Sequence, residues 1–262
     1  MLQHCPFAGC SLRRLLNWSL VWLAALFWLA ECRPMNFSNS ESARWINPCD
    51  LPGHLFDPTL DMVGAPNVDE AEVAQSVVIR ARIALNQAKK LRDTFVARSF
   101  ADPSLVEGTA SHRLSWLPKV TRKELEGKSI HALCRYWYRV LQFYGVALEQ
   151  VILDLTLYDD GTLLPMCQEA ENFLTQTLCQ VHLATFMLRV RLSPDVTRDV
   201  MKQEYRAGTH SERTLRNYII FRDYAVALEV MVDSFEGAAS VQQQRTLTPS
   251  FTYFNTPSLY KD

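Results

Sequence analysis

Apolar residues recur along this chain at alternating steps of three and four. Within residues 69–100 the series is Ala74, Val77, Ala81, Ala84, Ala88, Leu91 and Phe95. Because 3.6 residues complete a helical turn, such a series lines one face of an α-helix. Pro66-Asn67 precede the segment, and Asp69-Glu70 fall in its first turn, where the helix dipole favours acids. Three further segments repeat the pattern. Over 128–155 the series is Ile130, Leu133, Trp137, Val140, Tyr144, Leu148, Val151 and Leu155. Over 164–192, Ala170, Leu174, Leu178, Val181, Leu188 and Leu192 share a face, with Pro165 tolerated in the first turn. Over 211–235 the series is Tyr218, Phe221, Ala225, Leu228, Val232 and Phe235, and Gly237 reads as the stop. A short helix is expected over 195–206, opened by Ser193-Pro194 and stopped by Gly208. Gly145 interrupts the second long segment at a cost of about 1 kcal/mol relative to Ala, so a close backbone contact is expected there. No strand alternation and no internal repeat is visible, which makes the chain all-α.

The lengths of the connections then select a topology. About 27 residues link the first and second long segments, about 8 the second and third, and about 18 the third and fourth. A helix of about 28 residues is about 42 Å long, and the two longer links can return along it at about 3.3 Å per residue. Long, short, long predicts a four-helix bundle over 67–237, up-up-down-down, with two long crossover connections.

Composition adds bounds. The 262 residues are 48% hydrophobic and 21% charged, which excludes a disordered chain. Lys and Arg total 27 against 28 Asp and Glu, a net charge of -1, so no charge argument points to a nucleic acid or an anionic membrane. At the N-terminus, Arg13-Arg14 precede an apolar run from Leu15 to Ala30, shorter than the roughly 18–20 residues that span a bilayer. Residues 1–32 read as a secretory signal peptide cleaved after Cys32, leaving no stable membrane insertion and a secreted, extracellular product. Residues 33–66, rich in Pro, Asn, Ser and Asp, read as an extended arm, and residues 238–262 as a flexible tail. Asn36-Phe37-Ser38 is the usable glycosylation sequon, so the product is expected to be a glycoprotein.

Of seven cysteines, three lie in the leader. Cys49, Cys134, Cys167 and Cys179 remain, an even set that implies two disulfides in a secreted chain. Cys167 and Cys179 on one helix would stand about 18 Å apart, beyond the roughly 7 Å Cα limit of a bridge. Antiparallel register about the turn near Asp159 brings Cys134 level with Cys179, which predicts Cys134–Cys179 and Cys49–Cys167. A metal reading competes with that pairing. His131-x-x-Cys134 and Cys179-x-x-His182 run in mirrored order and could hold a tetrahedral zinc. The oxidising compartment favours the disulfides, with no metal and no cofactor expected.

No G-x-S-x-G, H-E-x-x-H, P-loop or G-x-G-x-x-G motif is present, so nothing points to an enzyme. Leader, four long helices, two long connections and two disulfides together make the chain resemble the long-chain helical cytokines. The likeness is to the group of leukaemia inhibitory factor and ciliary neurotrophic factor, and to the insect Unpaired ligands. Leu114-Ser115-Trp116-Leu117-Pro118 is similar to the hydrophobic approach to the second helix in that group. Where that group often carries Phe-x-x-Lys at the start of the fourth helix, this chain has Ser211-Glu212-Arg213-Thr214-Leu215-Arg216. The resemblance implies a signalling ligand that binds a cell-surface receptor. Trp116, Arg213 and Arg216 are the expected contacts, since exposed aromatics and Arg anchor interfaces. Trp116 buried over the bundle end is the competing reading. The alternative function is a secreted carrier holding a small apolar ligand in the bundle interior.

Overall fold

The computed structural model of the chain describes residues 43–51, 68–102, 104–158 and 161–247. These residues are helical, with no strand among them, in agreement with the all-α expectation. In chain order the helices are α1 (Glu70–Ser99), the short α2 (Ser104–Glu107) and α3 (Arg122–Leu125), then α4 (Ile130–Tyr158) and α5 (Leu164–Met187). A 3-10 turn at Arg198–Val200, the short α6 (Gln203–Arg206) and α7 (His210–Leu247) complete the order. The predicted leader 1–32, the Asn36 sequon and the tail beyond 247 lie outside the described residues.

The long helices begin where the local chemistry requires. Asp69 caps α1 by accepting from the Ala71 N–H at 2.8 Å. Gly127, at φ +72, turns the chain between α3 and α4 in a region other residues rarely adopt. The ends depart further from expectation. Helix α5 stops at Met187 rather than near 192, and Arg189 at φ +54 takes the chain out of the helix. Leu188, Val190 and Leu192 remain buried, so the apolar period outlasts the helix that the sequence predicted. The helix expected over 195–206 is reduced to the 3-10 turn and α6. Gly237 does not stop α7, which continues to Leu247 and takes in the first ten residues of the predicted tail. An internal glycine costs only about 1 kcal/mol, which the flanking turns outweigh.

Helix α1 contacts α5 and α7, and α4 contacts the same two helices. Arg82 pairs with Glu236, and Lys89 Nζ meets Glu229 Oε1 at 2.6 Å. Further along, Phe95 stacks edge-on against Phe221 with centroids 5.1 Å apart. The partner numbers on α7 fall as those on α1 rise. Gln180 donates to Ser76 at 3.0 Å and Arg80 to Gln176 at 3.4 Å, the same progression on α5. From α4, Trp137 Nε1 donates to Ser234 Oγ at 3.1 Å, Tyr144 OH to the Asp223 carbonyl at 3.0 Å, and Asp154 pairs with Arg216. The Tyr138 and His182 rings lie 5.1 Å apart where α4 meets α5. Between the four helices sit Leu133, Trp137, Leu148, Leu174, Phe221 and Phe235, all essentially closed to solvent. Each contributes on the order of 1.5–3 kcal/mol by leaving water. Helix α4 is long and apolar enough to cross a membrane, but 61% of that apolar window is buried inside the fold.

The described part of the arm, residues 43–51, is a folded strap rather than an extended segment. Ile46 N–H donates to the Ala43 carbonyl at 2.8 Å, and Asn47, at φ +45, accepts on its side chain from the Leu51 N–H at 2.9 Å. Trp45 is 2% exposed and fills a notch in α4 at Gly145. A Cβ at residue 145 would stand 2.9 Å from the Trp45 Cβ, so the expected close contact is this indole. Trp45 Nε1 donates to the Val196 carbonyl at 2.9 Å, and Gln142 donates to the Trp45 carbonyl at 3.2 Å while accepting from the Val196 N–H at 3.1 Å.

A disulfide fastens the strap. It joins Cys49 to Cys179, with Cα atoms 5.1 Å apart. The predicted pairs Cys134–Cys179 and Cys49–Cys167 are therefore both incorrect. Register between α4 and α5 alone cannot foresee a strap that delivers Cys49 to the middle of α5. Cys134 and Cys167 are buried thiols turned into the core. Burial, with the charge of Glu70 behind it, pushes the Cys134 thiol up to about 12.

Candidate functional site

The three predicted contact residues meet at one end of the fold, in different roles. There α7 starts with a capping box: Thr209 N–H donates to Glu212 Oε2 at 2.7 Å, and Thr209 Oγ1 accepts from the Glu212 N–H at 3.4 Å. The bond from the Thr209 backbone holds the exposed Glu212 carboxyl below its ordinary range. One turn on, the Arg213 guanidinium lies 4.0 Å above the Tyr158 ring at the end of α4. Arg216 points inward. Its side chain and that of Asp154 are each 6% exposed and ion-paired, and Arg216 also donates to Asn217 Oδ1 at 2.9 Å and to the Tyr205 carbonyl. Burial pulls the Arg216 guanidinium down to about 10, which leaves it cationic at neutral pH. Arg216 is thus a buried framework charge and not the surface contact predicted for it. The physical reason lies on α4, where Asp154 is a buried acid that needs a partner.

Trp116 joins the same end through Tyr205. The two rings lie 6.4 Å apart, and Ser115 Oγ and Tyr205 OH share a hydrogen bond of 2.8 Å. Trp116 is half-buried, and its Nε1 is enclosed with no acceptor among the described residues. In its last two turns α4 shows water three large side chains, of which Tyr158 lies beneath Arg213. Leu153 is 42% exposed, and Leu157 and Tyr158 are each 60% exposed. Sequence reasoning missed Leu153 and Leu157, although both stand off the apolar seam of their helix, at positions that a buried face does not need.

The competing zinc set does not come together. The Cys179 sulfur is taken by Cys49, and Cys134 is buried in the core. His131 is half-buried, its Nδ1 3.9 Å from Glu70 Oε1, whereas His182 is buried beside Tyr138. Among the described residues no group of three or more His, Cys, Asp or Glu is placed to hold a metal ion.

A cleft of about 600 Å³ opens at the other end of α4, between the start of α1, the α3–α4 link and α7. Leu125 and Ile130, each 2% exposed, lie at its base. Val230, Ala238 and Val241 line its α7 side. At the rim, Arg122 Nε meets Asp233 Oδ2 at 2.7 Å, and Glu126 and Lys128 stand nearby.

No protein-family model matches the chain, and no curated protein or solved structure is similar to it at a significant level.

Proposed function

We propose that this chain is a secreted, cytokine-like signalling ligand that binds a cell-surface receptor. Its framework in this reading is an up-up-down-down four-helix bundle with two long crossover connections. The observation that carries the reading is the order of contacts. On both α5 and α7 the partner residues descend as α1 ascends, and on α7 they descend again as α4 ascends. Two helices that each oppose α7 run in the same direction, which requires a long connection between them. Residues 100–129 supply that length. The Cys49–Cys179 bridge fits an oxidising compartment, which supports secretion.

The receptor-facing surface in this reading is the end where α4 meets the start of α7. Tyr158, Leu157 and Leu153 offer apolar area and Arg213 a charge, a composition found at the anchors of protein interfaces. Trp116 borders that surface, and Arg216 supports it from beneath. The carrier reading has less support, because large core side chains occupy the space between the four helices. The test is saturable binding of the labelled, secreted protein to cells, competed by unlabelled protein. The secreted chain should begin at Arg33 and lose mass on removal of a glycan from Asn36. Leu157→Asp should weaken cell binding by about tenfold or more, as loss of an anchor does, with helix content and melting temperature unchanged. Absence of saturable binding across receptor-bearing cell types would overturn the reading.

A further inference from the structure

We propose that the cleft between α1, the α3–α4 link and α7 binds a small, neutral amphipathic molecule with an apolar ring body and a hydrogen-bonding edge. This goes beyond the receptor reading and does not depend on it. Its volume of about 600 Å³ falls within the range of roughly 300–1,000 Å³ typical of small-molecule sites. The base is apolar and rigid, since Leu125 and Ile130 are anchored in the core. The charges around it leave a small acidic excess at neutral pH, with Glu70, Glu126 and Asp233 against Arg122 and Lys128. Arg122 is paired with Asp233, and His131 faces Glu70 at 3.9 Å. Glu126 and Lys128 add one charge of each sign. A rim with this excess gives no attraction to an anion, and it offers donors and acceptors to a neutral polar edge.

Gly237 supplies a separate observation. The two helical glycines of the long helices differ in surroundings. At Gly145 the missing side chain makes room for Trp45. At Gly237, in the interior of α7 and on the cleft wall, a Cβ would meet no described residue within 4 Å. Among the described residues no atom accounts for a residue that costs the helix about 1 kcal/mol. What its absent side chain leaves clear is the cleft.

N-phenyl-1-naphthylamine, a neutral fluorescent amphiphile, serves as probe on the full chain. Saturable one-to-one enhancement of its emission is expected. Gly237→Leu should weaken that binding by about tenfold or more while raising the melting temperature, since Leu is the better helix former. Val241→Asp, at a half-exposed wall position that tolerates a polar side chain, should weaken it similarly with helix content unchanged. Failure of the native chain to bind the probe saturably would overturn the proposal. So would undiminished binding by both folded variants. Equal affinity for the anionic 1-anilinonaphthalene-8-sulfonate would overturn the assigned neutrality.

Discussion

Trp45 and Gly145 fit each other as side chain and vacancy, and their coupling has a sign that can be measured. Gly145→Ala in the native chain sets a methyl about 3 Å from the indole, and overpacking of this kind destabilises by about 1–3 kcal/mol. Trp45→Ala removes a buried aromatic and should cost about 3–5 kcal/mol. Once the indole is gone, Gly145→Ala should instead stabilise by about 1 kcal/mol, because only helix propensity remains. Urea unfolding of the four proteins reads the reversal directly. Cys134 supplies a dependence on pH. The buried thiol keeps its proton until about pH 12, whereas in the unfolded chain it ionises near 8.5. Between those values the unfolded state binds fewer protons, so this contribution is full below about pH 8.5 and is lost as the pH rises toward 12. Cys134→Ala should flatten that alkaline loss in unfolding free energy. Little of this residue scale was legible in advance. Gly145 could be suspected from its cost, but Trp45 lies in a stretch rich in Pro, Asn and Ser with no period to betray a buried side chain. Asp154 stood visibly among apolar neighbours, but nothing local identified Arg216, 62 residues away, as its partner.

At the scale of elements, periodicity was the reliable guide and punctuation the poor one. Helices α1 and α4 lie within three residues of their predicted bounds, because each has a long seam that only a helix can bury on one side. Gly237 was misread as a terminus, since a single glycine inside a strongly periodic segment weakens a helix without ending it. Val190 and Leu192 stayed apolar past the end of α5 because the loop there is itself packed into the core. The strap was the largest omission, and the disulfide pairing failed with it. Cys49 closes a span of 130 residues. Cys49→Ser should therefore lower stability by about 2–5 kcal/mol in denaturant. Alkylation in denaturant without reductant should label the peptides of Cys134 and Cys167, and leave those of Cys49 and Cys179 joined. Label on Cys49 would contradict the bridge.

For the molecule as a whole, the charges on α1 gain a use that composition could not assign. Arg82 and Lys89 reach glutamates on α7, and Arg80 reaches α5, so these basic residues tie helix to helix. Leu157 and Tyr158 at the end of α4 are the most exposed of the large apolar side chains among the described residues. The functional reading depends on the direction of two helices that barely touch. Nitroxide labels carried by noncanonical amino acids at exposed positions, which spare the native thiols, test it by pulsed electron resonance. One pair spans residues 72 and 135, near the starts of α1 and α4, and the other residues 72 and 156. With α1 and α4 pointing the same way, the second distance should exceed the first by roughly 20 Å or more, given a rise of about 1.5 Å per residue. A longer distance for the first pair would mean that the two helices oppose each other, and would contradict the account.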